Sequence, residues 1–176
     1  MKIERIEELL LTKKDKTILQ QLLMDTFEFY PKDRIYFLQP ASFRTVAREE
    51  GRIIGQAAVD YRQISIDGEN RLVFIIADVC VNDAYRDKGI AGKIIAHIEK
   101  FASRKGIKFL IAISQDHRLY KNQGFVHTVN KANWLMFHNN KSLGISNQIM
   151  DESLLVKGLT DIKWNDGLLD FQGPLF

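Results

Sequence analysis

Apolar positions recur along the chain with two different periods, and these periods predict its secondary structure. A helical period runs over residues 14–27 and returns over residues 89–105, where it forms one apolar stripe. The members of the second stripe are Ile90, Ile94, Ile95, Ile98, Phe101 and Ala102. Alternating or continuous apolar runs predict strands at residues 2–11, 43–48, 52–63, 71–81 and 108–113.

Turn signals order these strands into an antiparallel meander. Gly51 follows two glutamates between the second and third runs, and Asp67-Gly68 separates the third from the fourth. After residue 113 the sequence predicts a short helix, several strands and one loose segment. We place that helix at residues 117–123, strands at 134–138 and 153–157 and another from Phe125, and the loose segment at 139–148.

Composition limits the classes of protein to consider. At 176 residues with 45% hydrophobic content, the chain suits one domain over residues 1–176. Its 25 basic and 22 acidic residues form no long basic run, so no nucleic-acid partner is expected. Cys80 is the only cysteine, which excludes an intrachain disulfide and, with four scattered histidines, predicts no metal site. The apolar run at 72–81 is too short to span a bilayer, so we expect no membrane partner and a cytoplasmic protein.

Residues 77–105 read as a strand, a cation-bearing turn and an amphipathic helix in succession. Arg86, Lys88 and Lys93 crowd the start of the helix, where the macrodipole disfavours cations unless an anion is bound. Gly89 lets the backbone approach a ligand closely, and the amides of the first turn can point at phosphate oxygens. The segment therefore predicts a phosphate-binding turn.

Two motifs in order carry a family resemblance. Arg86, Gly89 and Ala91 match the Arg/Gln-x-x-Gly-x-Gly/Ala signature of the GNAT superfamily of acyl-CoA-dependent N-acyltransferases, which this chain resembles. Further along, Tyr120, Gly124 and Phe125 resemble the Tyr-x-x-x-Gly-Phe segment of the same family. The order of predicted elements is also that of the family.

The resemblance implies a fold and a co-substrate. The expected fold is α/β (α+β), with a mixed, mainly antiparallel central sheet, a splayed fourth strand and helices on both faces. The expected co-substrate is acetyl-CoA, without a metal. A dinucleotide-binding oxidoreductase would share the glycine turn, but the preceding meander and the lack of a Gly-x-Gly-x-x-Gly motif disfavour it.

The resemblance also implies the cofactor-binding residues. Val79 and Val81 would hold the pantetheine arm through their backbone, and the amides from Val79 through Cys80 to Val81 are candidates to polarise the thioester. An ordinary sheet strand is the alternative. The turn residues that would contact the pyrophosphate are Arg86, Asp87, Lys88, Gly89, Ile90, Ala91 and Gly92.

Two residues are candidates for catalysis. Tyr120 corresponds to the family tyrosine that protonates the leaving thiolate, although a lone tyrosine is also a common core residue. Asp78 interrupts an apolar run, and alternation places it on the same face as Cys80. It is a candidate base with a raised pKa, or a group that holds the substrate ammonium. Alternatively, backbone amides or a basic partner such as Arg62 satisfy it.

Other positions are less decisive. Cys80 could accept the acyl group or be a small apolar residue, and His117 could be a base, a phosphate contact or a solvated side chain. Ile113 and Asp116 stand where the family often has Asn and Ala. Asp87 stands where glycine is common and adds a negative charge.

The acceptor is expected to be a primary amine of a small molecule. The final segment, with its Trp-x-x-Gly and Gly-x-x-Phe pieces, resembles the tails of the aminoglycoside acetyltransferase and rhizobial nodulation acyltransferase branches. Four acidic residues could attract a cationic acceptor: Glu28, Asp33, Asp60 and Asp78. A protein or peptide acceptor and a non-catalytic CoA-binding module remain alternatives, and the late strands could support a homodimer.

Overall fold

The computed structural model describes residues 1–138 and 141–175, and it is a mixed α/β structure with mostly antiparallel strand pairs. The predicted fold class is confirmed, while the splay of the fourth strand stays a prediction. The helices are α1 (Lys13–Thr26), α2 (Ile90–Arg104) and α3 (Arg118–Lys121), with 3-10 turns at Glu8–Leu10 and Asp83–Tyr85. The strands are β1 (Lys2–Glu7), β2 (Phe43–Glu49), β3 (Arg52–Ile66), β4 (Glu69–Val81), β5 (Phe109–Ile113), β6 (Val126–His127), β7 (Asn130–His138), β8 (Lys141–Met150), β9 (Leu154–Gly158) and β10 (Leu169–Asp170).

The chain forms two compact units. The first comprises Met1–Asp60 and Ile76–Lys100, and the second comprises Tyr61–Ile75 and Phe101–Phe176. Strands β3 and β4 and helix α2 each contribute residues to both units. The single domain expected over residues 1–176 stays a prediction.

The first unit is built on an antiparallel meander. Strand β1 pairs with β2 from Lys2↔Arg48 to Glu7↔Phe43, and β2 pairs in turn with β3. Helix α1 begins with a capping box, because the amide of Asp15 donates to Thr12 Oγ1 over 3.1 Å and the Thr12 amide donates back to the Asp15 carboxylate over 3.3 Å. The core of this unit contains Leu11, Leu19, Leu22, Leu23, Tyr30, Ile35, Val46, Ile53 and Cys80.

The second unit holds the strand order β6-β9-β5-β4-β3-β10-β7-β8. Its pairs β5–β9, β6–β9, β3–β10 and β7–β8 are antiparallel, and β10 runs parallel to β7. The core combines side chains from most of these strands with Phe171 from the final segment. The final segment is therefore ordered as part of this unit, up to Leu175. The Gly-x-x-Phe piece ends at Phe176, which lies outside the described residues.

Two predictions of secondary structure are wrong in part. The strand expected over residues 2–11 ends at Glu7, and Glu8–Leu10 form a 3-10 turn. The sequence suggested a loose segment at residues 139–148, but β8 begins at Lys141 and pairs with β7 through to Met150. Asn139 and Asn140 lie outside the described residues. The strand was missed because polar residues dominate it and burial does not follow its apolar positions. Ser146 and Met150 are its buried residues, whereas Leu143, Ile145 and Ile149 are exposed.

None of the helices described is both long enough and apolar enough to cross a membrane.

Candidate functional site

The end of β4 passes into α2 through a loop that is fixed at both of its turns. The Asn82 amide donates to the carbonyl of Ile54 over 2.9 Å, which ties the loop to β3. The side-chain oxygen of Asn82 accepts from the Ala84 amide over 3.2 Å and caps the 3-10 turn. Residues 77–92, which include every predicted cofactor contact, belong to the first unit.

The turn before α2 has two residues with positive φ, Asp87 at +59° and Gly89 at +70°. The Lys93 amide donates to the carbonyl of Gly89 over 3.1 Å, so the helical hydrogen bonds begin at Gly89. The amides of the first turn consequently have no acceptor within the helix. Together with the positive end of the helix dipole, they can bind an anion, as the sequence suggested.

The loop cations fold back onto the loop itself. The Arg86 guanidinium forms an ion pair with Asp83 at 2.7 Å and donates through Nε to the carbonyl of Val81 over 3.3 Å. Lys88 Nζ donates to the carbonyl of Ala84 over 3.1 Å. The arrangement keeps two positive charges beside the start of the helix.

Gly55 allows strand β4 to approach β3 closely. A Cβ atom on Gly55 would lie 3.1 Å from Cγ2 of Val81 and 3.2 Å from the carbonyl oxygen of Cys80. Both distances are shorter than ordinary van der Waals contact, so a larger residue would displace the strand. Gly55 was not predicted from the sequence, although a glycine inside an apolar strand run is the signal that could have identified it.

Asp78 lies at an irregularity in β4. Its φ is +53°, a left-handed conformation that aspartate tolerates better than most residues. The Tyr30 hydroxyl lies 2.7 Å from Asp78 Oδ2, and Tyr30 shares a core cluster with Cys80. Tyr30 therefore brings the Asp78 carboxylate beside the cluster that contains Cys80. That Asp78 and Cys80 share one face of β4 stays a prediction, because the left-handed backbone at Asp78 interrupts the alternation of the strand. Arg62, the alternative partner suggested by the sequence, donates to the carbonyl of Pro174.

Burial raises the pKa of the Asp78 carboxyl above its ordinary value, while the hydrogen bond from Tyr30 and the charge of Arg44 oppose that rise. A carboxylate with a raised pKa accepts a proton more readily than an exposed one. Asp78 thus has the electrostatic property predicted for a general base.

A buried polar network supports the Asp78 peptide. The side-chain amide of Gln56 donates to the main-chain carbonyl of Asp78, and Gln56 Oε1 accepts from Arg44 Nη1 over 2.9 Å. Arg44 is fully buried and pairs with Glu8 at 2.8 Å. Buried charged and amide groups need hydrogen-bond partners. Here Gln56 bonds to both the Asp78 carbonyl and Arg44, and Arg44 pairs with Glu8.

Tyr30, Arg44 and Gln56 were not predicted from the sequence. Gln56 interrupts an apolar strand run, which is the same signal that identified Asp78. Arg44 stands between Phe43 and Thr45 in a mixed strand and carries no such signal. Tyr30 carries no comparable signal, because its partner Asp78 is distant in sequence.

Cys80 is not suited to covalent catalysis. Its side chain is 3% exposed, and burial raises the pKa of its thiol to about 12. The thiol is therefore protonated at neutral pH, and the thiolate is the nucleophilic form. Cys80 behaves as a small core residue, which was the alternative weighed from the sequence.

Tyr120 and His117 lie in the second unit. Tyr120 is 7% exposed and packs edge-on against Phe125 at 5.4 Å. His117 stacks on His127 at 4.9 Å, and its Nε2 lies 2.7 Å from the carbonyl oxygen of Glu152. Because a carbonyl oxygen only accepts, His117 Nε2 donates in this contact, and the roles suggested for His117 stay predictions.

The departures from the family pattern have local roles. Asp116 Oδ1 accepts from the Arg118 amide over 3.1 Å and so supports the start of α3. Ile113 ends β5 and packs against the core of the second unit. Across residues 1–138 and 141–175, no group of three or more His, Cys, Asp or Glu side chains could hold a metal ion.

Comparison with known proteins identifies this architecture. Residues 5–125 match the family model described as the acetyltransferase (GNAT) family. No curated protein sequence matches the chain significantly.

Several solved structures share the fold. The GNAT family N-acetyltransferase YhbS of Escherichia coli, in complex with CoA, is 18% identical with a TM-score of 0.64, over 96% of this chain and 88% of that one. A GNAT family acetyltransferase of Brucella melitensis, in complex with acetyl-CoA, is 14% identical with a TM-score of 0.61, over 96% and 94%. Eis1 of Mycobacterium abscessus is 11% identical with a TM-score of 0.64 over 76% of this chain, which spans only 34% of Eis1.

Proposed function

Because the chain belongs to the acetyltransferase (GNAT) family, we propose that it transfers an acetyl group from acetyl-CoA to a primary amine of a small molecule. The observation that carries this proposal is the turn from Arg86 to Gly92. There, two positive-φ residues and the open amides of α2 combine with cationic side chains.

The donor would bind along the end of β4 and its following turn. The amides of Gly89 to Gly92 would contact the pyrophosphate, with Arg86 and Lys88 supplying positive charge. The backbone from Val79 to Val81 would hold the pantetheine arm. The complexes of the Escherichia coli and Brucella relatives with CoA and acetyl-CoA support acetyl-CoA as the donor.

The chemistry would be direct attack in a ternary complex. Asp78 accepts a proton from the substrate ammonium, and the free amine forms a carbon–nitrogen bond with the thioester carbonyl carbon. The carbon–sulfur bond then breaks, and the CoA thiolate takes a proton from Tyr120. The second proton, which the nitrogen loses as it becomes an amide, passes to solvent, and solvent returns a proton to the Tyr120 oxygen. The motif resemblance supports the role of Tyr120, and the raised pKa supports that of Asp78.

The final segment of the chain supports a small-molecule acceptor less strongly than the turn at Gly89 supports the acetyl-CoA donor. Trp164 of its Trp-x-x-Gly piece donates through Nε1 to Asn130 Oδ1 over 2.9 Å and packs against Phe109 at 5.1 Å. These contacts explain the tryptophan by packing within the second unit. A protein or peptide amine is therefore the competing acceptor class, and both classes belong in the substrate screen.

We also propose that two copies of this chain form a homodimer by pairing through strand β8. Among the described residues β8 ends the strand order, and Leu143, Ile145 and Ile149 are 61%, 72% and 64% exposed. Lys141 lies at one end of β8, and Asp151 follows the other. Antiparallel pairing of two copies would bring these opposite charges together at both ends.

Calorimetric titration with acetyl-CoA tests the donor site, using Gly89→Trp as the blocking variant. A Cβ at Gly89 meets no atom within 4 Å, so the new side chain would occupy the space over the turn. Gly106→Trp is the matched control, because Gly106 has the same φ of +70° and open space but follows the opposite end of α2.

Binding that is lost in Gly89→Trp and kept in Gly106→Trp supports the proposal. An amine screen with Tyr120→Phe then follows. If the wild-type protein gives no heat and no thermal shift with acetyl-CoA or longer acyl-CoAs, the transferase proposal is wrong.

A further inference from the structure

The Tyr30 hydroxyl has one hydrogen and two acceptors. Its oxygen lies 2.7 Å from Asp78 Oδ2 and 2.9 Å from the carbonyl oxygen of Ile35. A hydroxyl donates only one hydrogen bond, so it satisfies one of these oxygens at a time. Tyr30 is 4% exposed, which leaves little room for water to satisfy the other.

Each choice of acceptor corresponds to one protonation state of Asp78. When Asp78 is ionised, Tyr30 donates to the carboxylate. When Asp78 is protonated, its own O–H donates to the Tyr30 oxygen, and Tyr30 donates to the carbonyl of Ile35. Asp78 keeps a hydrogen bond in both states, and only hydrogens move between them.

The heavy atoms around this pair are held in place from both sides. The Arg44 guanidinium donates to the same Ile35 carbonyl, so that oxygen has a donor even when Tyr30 turns away. Gln56 donates to the Asp78 main-chain carbonyl. Because both contacts lie in the core, Asp78 can gain a proton without a rearrangement of the backbone.

The charged and titratable groups facing Asp78 are Tyr30, Arg44 with its partner Glu8, and Cys80. Burial and the nearby carboxylate raise the pKa of the Tyr30 hydroxyl, and burial likewise raises that of the Cys80 thiol. Both groups therefore stay neutral when Asp78 titrates.

We propose that Tyr30 is a positioning residue that lets Asp78 accept the proton of the substrate ammonium while its carboxyl group stays fixed. This inference rests on the proposed function. The proton leaves the ammonium nitrogen for Asp78 Oδ2, Tyr30 retains its own hydrogen and redirects it to Ile35, and the substrate becomes a neutral amine. Release of the Asp78 proton to solvent restores the first state.

The test is the pH dependence of Tyr30→Phe measured in two ways. The first is the acid limb of kcat/KM for acetyl transfer, and the second is the titration of Asp78 followed by the ¹³C signal of its carboxyl carbon, assigned with Asp78→Asn. The variant lacks the Tyr30 hydroxyl that donates to the ionised carboxylate, so the pKa of Asp78 should rise. The acid limb and the Asp78 titration should therefore both move to higher pH. Tyr36→Phe is the control, because its ring packs under Arg34 at 5.9 Å in the same unit.

The outcomes separate this inference from the proposed function. A rise in both pH dependences supports the two together. A rise in the Asp78 titration with an unchanged kcat/KM limb supports the Tyr30 pairing but overturns Asp78 as the base. An unchanged Asp78 titration, or an equal shift in Tyr36→Phe, overturns the pairing.

The wild-type protein provides a test that needs no variant to fold. The ¹³Cζ signal of Tyr30 should move with the same apparent pKa as the Asp78 carboxyl carbon, and the Tyr36 signal should not follow it. A Tyr30 signal that is flat across the Asp78 titration would contradict the switch.

Discussion

Asp87 and Gly89 adopt the same left-handed backbone conformation within one turn, with φ values of +59° and +70°. Glycine adopts this conformation without steric cost, whereas aspartate pays a penalty that its short polar side chain only reduces. The family pattern commonly has glycine at both places. In this chain the first is a carboxylate beside the proposed pyrophosphate site.

Removing the Asp87 charge should tighten acetyl-CoA binding. We expect Asp87→Asn to lower the dissociation constant, because asparagine tolerates the same φ and removes one negative charge near the phosphates. Calorimetry at two salt concentrations checks this, and the gain should shrink at high salt. Asp166→Asn, in an exposed turn of the second unit, is the control. Equal effects from both variants would refute a local charge effect.

Asp78→Asn should reduce activity and raise stability at neutral pH. Burial raises the pKa of Asp78 in the folded state, so the folded protein binds this proton more tightly than the unfolded chain does. The wild type therefore loses stability as the pH rises from the ordinary aspartate value through the raised one. Asparagine removes this loss, so thermal unfolding curves should diverge above that window and converge below it.

Activity measured on the same variant completes that prediction. Loss of kcat with a higher midpoint of unfolding is the expected combination for a functional buried carboxylate. An Asp78→Asn variant that is both active and equally stable at every pH would argue against both statements.

The sequence predicted the parts of the site that depend on local order. The turn and the helix after it were predicted from Gly89 and from the helical spacing of the apolar residues that follow it. Helix α2 begins at Ile90, the first residue of that apolar stripe. The helix α1 and the hairpin at Asp67-Gly68 follow in the same way, with φ values of +49° and +83° at the two turn residues.

The parts that were missed depend on contacts between distant segments. Tyr30 is 48 positions from Asp78, and Arg44 is 36 positions from Glu8. No period along the chain encodes such pairs, so only the interrupted apolar run at Gln56 could have suggested a buried polar network. Gly55 was missed because close approach to Val81 is a property of packing.

Gly55→Ala should destabilise the fold and weaken donor binding together. The added methyl would press on Val81 and on the Cys80 carbonyl, and overpacking of this kind costs about 1–3 kcal/mol. Chemical denaturation and acetyl-CoA titration measure the two effects. Gly158→Ala is the matched control, because its Cβ would meet no atom closer than 3.8 Å. A Gly55→Ala variant as stable as the control would contradict the close approach.

Removing one partner of the Arg44–Glu8 pair should lower the free energy of unfolding strongly, and removing both charges should lower it less. Arg44 is fully buried, so Arg44→Met leaves Glu8 without its partner, at a cost of about 3–5 kcal/mol. The double variant Arg44→Met with Glu8→Leu removes the stranded charge and should recover part of that loss. Urea unfolding measures all three proteins. Additive losses in the double variant would show that the two side chains act independently.

A charge on β8 should prevent self-association. Ile145 is 72% exposed at the centre of an edge strand, and a lysine there should repel its counterpart across a two-fold axis and solvate the strand. Light scattering coupled to size exclusion should give a dimer mass for the wild type and a monomer mass for Ile145→Lys. Leu72→Lys, a 44% exposed residue of β4, is the control. A wild-type protein that is monomeric at high concentration would rule out the β8 interface and leave the donor-site proposal intact.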